Sequence, residues 1–244
     1  MKNKEVEKLK LIEQIEASLD ALGASYPSVV NQDIKKGTFS TNDKYIEEIK
    51  LHFTDLGINF SLLKAPRRED DAIIFLLEGS SNKLCLKVLP DVWIATAEHT
   101  RNKGYMVKML RSKYLPNIHF SKLDTVNESI LYLYDYIEGT PLSKVVNTAT
   151  KSQKREILKT IASCVNDWVL NYNLDVNFEA LDDFIIDPSD FSSICLTDVN
   201  MAFQASEMLG TEDLVRIVKR RALRSFSEKG FDRIDVYNAL YETK

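Results

Sequence analysis

Lys87 constrains this chain more than any other residue. It stands inside Lys83-Leu84-Cys85-Leu86-Lys87-Val88-Leu89, a short and mostly apolar run of β-forming residues. A second run, Ala72-Ile73-Ile74-Phe75-Leu76-Leu77-Glu78-Gly79, lies just upstream, and Ser80-Ser81-Asn82 joins the two. Apolar runs of this length bounded by turn residues read as strands, and the join reads as a hairpin. The lysine then sits on a strand near a core, where an ammonium group is costly without an anionic partner. Two uses are open to it: a strand-end lysine that reaches solvent, or a cation kept for a bound anion.

A length of 244 residues allows one large domain or two small ones, and 44% apolar content is enough for a real core. The net charge of −4 argues against general nucleic-acid binding. Cys85, Cys164 and Cys195 are far apart with no CxxC pair, which reads as buried thiols in a reducing compartment. His52, His99 and His119 are equally scattered, so a Cys/His metal site is not expected. No apolar run is long enough for a transmembrane helix. The opening Lys2-Asn3-Lys4-Glu5 leads into a mixed-charge helix rather than a signal segment, so a cytoplasmic location is expected.

Residues 4 to 22 place Val6, Leu9, Ile12, Ile15, Leu19 and Leu22 on roughly one helical face, with Gly23 as the stop. A second helix is predicted from Ser40 or Thr41 to near Gly57. These helices are expected to pack against the segments downstream of them; the alternative is a partner-binding extension. Strands are predicted at Ile58 to Leu63, in the two runs around Lys87, at Ile118 to Leu123 and at Ile130 to Tyr134. A helix from about Trp93 to Arg111 comes after the third of them. The second half opens on a long helix through Ile157, Ile161, Cys164, Val165, Trp168 and Tyr172. Phe184-Ile185-Ile186 and Ile194-Cys195-Leu196 then read as a strand pair about Asp187-Pro188-Ser189-Asp190, and Thr211 as the cap of a further helix. That helix carries Arg216, Lys219, Arg220, Arg221 and Arg224, read as a solvated face.

Leu131-Tyr132-Leu133-Tyr134-Asp135-Tyr136-Ile137-Glu138-Gly139-Thr140-Pro141-Leu142 resembles the last strand and hinge of phosphotransferase-type kinases. Asp183-Phe184-Ile185-Ile186-Asp187 through Thr197-Asp198-Val199-Asn200 is similar to their catalytic-loop end, hairpin and magnesium-binding aspartate. Taken in order, residues 58 to 240 resemble the protein kinase-like superfamily. The nearest types are aminoglycoside phosphotransferases, RIO-type kinases and lipopolysaccharide core kinases. The resemblance implies an α+β, two-lobed kinase-like fold, with a five-stranded N-lobe holding one inserted helix and a helical C-lobe. Its divisions would be 1–57 as an N-terminal helical extension, 58–135 as N-lobe and 136–244 as C-lobe.

The implied ligands are ATP and Mg²⁺, with a sugar, lipopolysaccharide-core or protein hydroxyl as acceptor. Lys87 would hold the nucleotide phosphates, with Glu98 as its candidate ion-pair partner. Asp135, Tyr136 and Ile137 would line the adenine end, and Asp183 and Asp198 would bind the metal. A protein partner for the N-terminal helices stays open.

Departures from the pattern bear on turnover. The family's catalytic aspartate stands five residues before the asparagine position, and counting back from Asp183 reaches Phe178. A longer loop would bring Asp175 to that role, with Glu179 a weaker substitute. Pro66-Arg67-Arg68 replaces a glycine-rich phosphate cover, and Asn200 replaces the glycine after the metal aspartate. The expectation is a phosphotransferase; the alternative is a pseudokinase that binds nucleotide or a protein partner without turnover. Nucleotidyl transfer is a third reading.

Overall fold

The computed structural model describes residues 2–25, 40–64, 73–79, 82–89, 112–124, 129–172, 174–176, 178, 181–197, 202–204 and 210–242. They form an α+β protein. The chain divides into two compact units, one comprising Met1–Lys108 and Asn117–Tyr136, the other Met109–Pro116 and Ile137–Lys244.

The first unit is built on β1 (Asn59–Lys64), β2 (Ile73–Glu78), β3 (Lys83–Leu89), β4 (Ile118–Asp124) and β5 (Ser129–Asp135). All pairs are antiparallel, in the order β1-β2-β3-β5-β4. The two apolar runs form the expected hairpin, with Gly79 N–H donating to the Asn82 carbonyl at 2.8 Å. β5 inserts between β3 and β4, although those two are consecutive in the chain among the described strands. The predicted helix from Trp93 to Arg111 belongs to their connection and lies outside the described residues.

Successive side chains of a strand point to opposite faces. On one face of the sheet, Ile73, Phe75, Leu77, Leu84, Leu86, Val88, Leu131 and Leu133 form a single core. Two helices close it: α1 (Lys2–Ser25) with Ile12, Ile15 and Leu19, and α2 (Ser40–Asp55) with Ile49 and Phe53. Phe75 meets Phe53 edge-on at 6.1 Å between ring centroids. α1 and α2 therefore supply one wall of the sheet's own core.

Two details of α1 depart from its sequence pattern. Val6 and Leu9 are about half exposed, at 51% and 52%, because the stripe that meets the sheet runs through Ile12, Ile15 and Leu19. The helix also continues past Gly23 to Ser25. An internal glycine costs a helix only about 1 kcal/mol relative to alanine, too little to end it. α2 has a definite stop. Gly57, at φ 67°, donates its N–H to the Thr54 carbonyl at 2.9 Å, and Ile58 N–H donates to Phe53 at 2.9 Å. This pair of bonds is a Schellman closure, and Ile58 and Phe53 are both buried beneath it.

The second unit holds β6 (Thr140–Pro141), β8 (Phe184–Asp187) and β9 (Asp190–Leu196) in one sheet, ordered β6-β8-β9. A two-stranded sheet pairs β7 (Leu174–Val176) with β10 (Ala202–Gln204). Its helices are α3 (Leu142–Thr148), α4 (Lys151–Asn166), α5 (Thr211–Glu228) and α6 (Arg233–Tyr241). α4 opens on a capping box between Thr150 and Gln153. Thr211, expected as the cap of α5, is instead its first residue; Gly210 holds the cap position with no side chain to offer.

The long helix predicted through Tyr172 stops being α-helical at Asn166. Asp167–Asn171 form a π-helical turn, wider than an α turn. Trp168 there is buried, and its indole N–H donates to Ser112 Oγ at 3.2 Å, while Ser112 Oγ donates to Asp167 at 2.6 Å. Two consecutive helical residues thus meet one partner.

Gly139 enters β6 with φ 154°, and a Cβ there would lie 2.6 Å from the Ile186 carbonyl oxygen and 2.7 Å from Ile185 Cγ2. At Gly57 a Cβ would meet nothing within 4 Å. Gly57→Ala should therefore lower stability by roughly 1–2 kcal/mol through backbone strain alone. Gly139→Ala should cost about 3 kcal/mol or more, since a backbone oxygen must move as well. Urea denaturation of both variants checks the ranking, and equal midpoints would refute it.

Candidate functional site

β3 lies in the middle of the five-stranded sheet, so Lys87 is flanked on both sides, by Ile74 of β2 and Tyr132 of β5. Alternation puts Lys87 with Cys85, Tyr132 and Tyr134 on the face opposite α1 and α2. Lys87 is only 3% exposed and Tyr132 1%. A solvent-reaching strand-end lysine is excluded by these numbers. The ammonium is held in a setting where its charge must be balanced by anionic or dipolar groups.

Asp135 ends β5 on the other face. Its Oδ1 lies 2.7 Å from Lys8 Nζ of α1 and 2.6 Å from His119 Nε2 of β4. Burial alone would raise this carboxyl, but the hydrogen bonds and charges of His119 and Lys8 outweigh it and hold it below its ordinary value. The carboxylate thus serves α1, together with Asn82 Nδ2, which donates to the Lys4 carbonyl at 3.2 Å. The Asp135 N–H donates to Asn117 at 3.1 Å and the Tyr136 N–H to Lys83 at 3.1 Å. Lys83 Nζ stands 5.7 Å from the centroid of the Tyr136 ring. The N–H groups of Asp135 and Tyr136 are thus both engaged by backbone carbonyls. Ile137, half-buried, begins the longer stretch of the second unit.

Asp183 closes a 3₁₀ turn, Leu181–Asp183, that leads straight into β8. Its carbonyl accepts from the Thr197 N–H at 2.8 Å and the Thr197 hydroxyl at 3.1 Å. The two ends of the hairpin are thereby tied at the residue preceding Asp198. Asp182 accepts a hydrogen bond from the Ser143 hydroxyl. Asp198, Glu98, Pro66-Arg67-Arg68, Glu179 and Asn200 lie outside the described residues. The backbone of Asp175 is in β7, paired with Phe203.

Phe178 is 1% exposed. Its ring stacks on Phe184 at 5.9 Å with 5° between planes and meets Phe226 of α5 at 5.5 Å. Its carbonyl accepts from the Ser225 hydroxyl and from Lys229 Nζ, the latter at 3.2 Å. The position that would carry a catalytic aspartate in the register counted from Asp183 is therefore a core position. Lys8 and His119 are the participants that sequence reasoning misses. Each is an ordinary surface-type residue, and nothing near it in sequence points to Asp135.

The cysteines offer no ready nucleophile. Burial pushes Cys85 up to about 11, partly offset by a hydrogen bond from Tyr134, and Cys195 up to about 12. Burial raises Cys164 as well. All three are free and buried. Among the described residues no cluster of three or more His, Cys, Asp or Glu side chains is gathered for a metal ion, and no helix is long and apolar enough to cross a membrane. No protein-family model matches the chain, and no curated protein matches it.

The Lys8–Asp135 pair is measurable. Lys8→Met and Asp135→Asn should each loosen α1, seen as faster amide exchange over residues 4–19. A double-mutant cycle should return a coupling of about 1 kcal/mol or less, since both side chains keep some solvent contact. Because the folded carboxyl titrates below its unfolded value of about 3.9, this contribution is present above that pH. It is lost as pH falls through the lower folded value. Additive effects of the two substitutions would show that the pair does not hold α1.

Proposed function

We propose that this protein is a kinase-like nucleotide-binding protein, taking ATP with Mg²⁺ and performing little or no phosphoryl transfer. Burial of Phe178 carries the choice between binding and turnover. A phenylalanine stacked on Phe184 and tilted against Phe226 cannot accept a proton, and a carboxylate at that buried position would lose its solvation. The kinase-like reading itself is supported by a lysine on the central strand of a β1-β2-β3-β5-β4 sheet, and by an aspartate leading into a strand hairpin.

The residues present suit the implied ligands. Lys87 is a buried cation of the kind that would hold phosphate oxygens. Asp183 and Asp198 are carboxylates, the donors a hard divalent cation prefers, and the metal would neutralise the phosphate charge. Carbonyl groups about Asp135 and Tyr136 would meet the purine edge.

A second reading, a working phosphotransferase on a sugar, lipopolysaccharide-core or protein hydroxyl, draws on Asp175. It lies in β7, three residues before Phe178. In that reading Asp175 takes the acceptor's proton, and electrostatics and positioning supply most of the rate.

Thermal-shift titration separates the cases. ATP with Mg²⁺ should raise the unfolding midpoint of wild type, and Lys87→Met or Asp198→Ala should remove the shift. No phosphate should pass to water or to an acceptor pool. Turnover that Asp175→Asn slows by roughly two orders of magnitude or more would establish the second reading instead. Absence of any shift with wild type would overturn both.

A further inference from the structure

We propose that the outer face of α6, with the cations of α5 beside it, docks an acidic amphipathic peptide segment of another protein. This inference is independent of the nucleotide reading. Ile234, Tyr237 and Tyr241 recur at helical spacing and are 71%, 48% and 41% exposed, while Val236, Ala239 and Leu240 hold the inner face of the same helix. The helix is fixed at both the cap and the flank. Asp232 caps its first turn by accepting from the Ile234 and Asp235 N–H groups, and Asp235 pairs with Arg155 of α4 at 2.9 Å. An apolar stripe on a helix this firmly placed is a preformed surface, one that binds without first being ordered.

The neighbouring side chains say which partner fits. Tyr237 and Tyr241 stack at 4.8 Å with 23° between planes, and Lys219 of α5 stands 5.6 Å from the Tyr241 centroid. Arg220 is close enough for its charge to act on the Tyr241 hydroxyl. Arg216 is 76% exposed by side chain and one helical turn from Arg220; its pairing with Asp213 is a solvent-exposed contact of the weak kind. An apolar strip with cations at its Tyr241 end is complementary to a helix with carboxylates beside its apolar side chains.

The same details argue against other occupants. Nucleic-acid bases need open ring faces to stack on, and here each tyrosine gives one face to the other while Lys219 stands over Tyr241. A second copy of this face would set cations against cations.

Fluorescence anisotropy with the full chain tests the proposal. The probes are a labelled 15-residue peptide with Glu and Leu at helical spacing, a scrambled peptide of equal composition, a Lys-for-Glu version and a single-stranded oligonucleotide. The Glu/Leu helix should bind saturably and at least about tenfold more tightly than the scrambled peptide. Tyr237→Ser with Tyr241→Ser should weaken it by about tenfold or more, as loss of aromatic anchors does. Arg216→Gln with Arg220→Gln should weaken binding and flatten its salt dependence. Ile234→Ser provides an independent apolar lesion at the most exposed site, with circular dichroism confirming the fold of each variant. Equal binding of the scrambled peptide, tighter binding of the oligonucleotide, self-association in sedimentation, or no saturable binding at all would each overturn it.

Discussion

Pairing of β3 with β5 is the constraint on which the first unit rests. It joins residues more than forty positions apart, Leu84 with Asp135 and Leu89 with Ile130, and makes β3 a strand flanked on both edges. A flanked strand has both faces available for burial, and the period-2 alternation then sorts its side chains without exception. Leu84, Leu86 and Val88 go to the core that α1 and α2 close. Cys85 and Lys87 go to the other face, beside Tyr134 and Tyr132. A slip of one residue in this register would exchange the two sets and push an ammonium into the apolar core, so the register is strongly specified.

In the second unit the corresponding anchor is aromatic. Phe178, Phe184, Phe226 and Phe231 meet in sequence at 5.5 to 6.4 Å, linking the segment before β8 to α5 and to the turn before α6. Ring contacts of this kind add a fraction of a kcal/mol to about 1.5 kcal/mol each beyond their area. They hold Phe178 against Phe184 of β8, while Thr197 donates to the Asp183 carbonyl just ahead of that strand. These contacts commit Phe178 to packing in the core.

The strands around Lys87, the hairpin after Asp183 and α2 with its glycine stop were legible in the sequence because each is a local pattern. Apolar alternation, turn residues and a glycine past a helix end act over a few positions. The departures have a common origin. α1 has apolar residues on more than one side, and only contact with the sheet decides that Ile12, Ile15 and Leu19 go inside while Val6 and Leu9 stay out. The π turn at Asp167–Asn171 answers to Ser112, a partner more than fifty residues away. Asp135 reads from its neighbours as part of a hinge, yet its carboxylate belongs to Lys8 and His119.

By itself the sequence determined where the chain can form strands and helices, and that a lysine is carried on one of those strands. Those properties come from side-chain size, branching and polarity within a few residues. Only the tertiary structure decided which side chains share a face. That choice set Lys87 apart from α1, gave Asp135 to Lys8, sealed Phe178 among other phenylalanines and left Ile234, Tyr237 and Tyr241 outside. The physical reason is that burial and charge pairing depend on distance in space, and residues separated by dozens of positions meet only when the sheet registers and helix packings close.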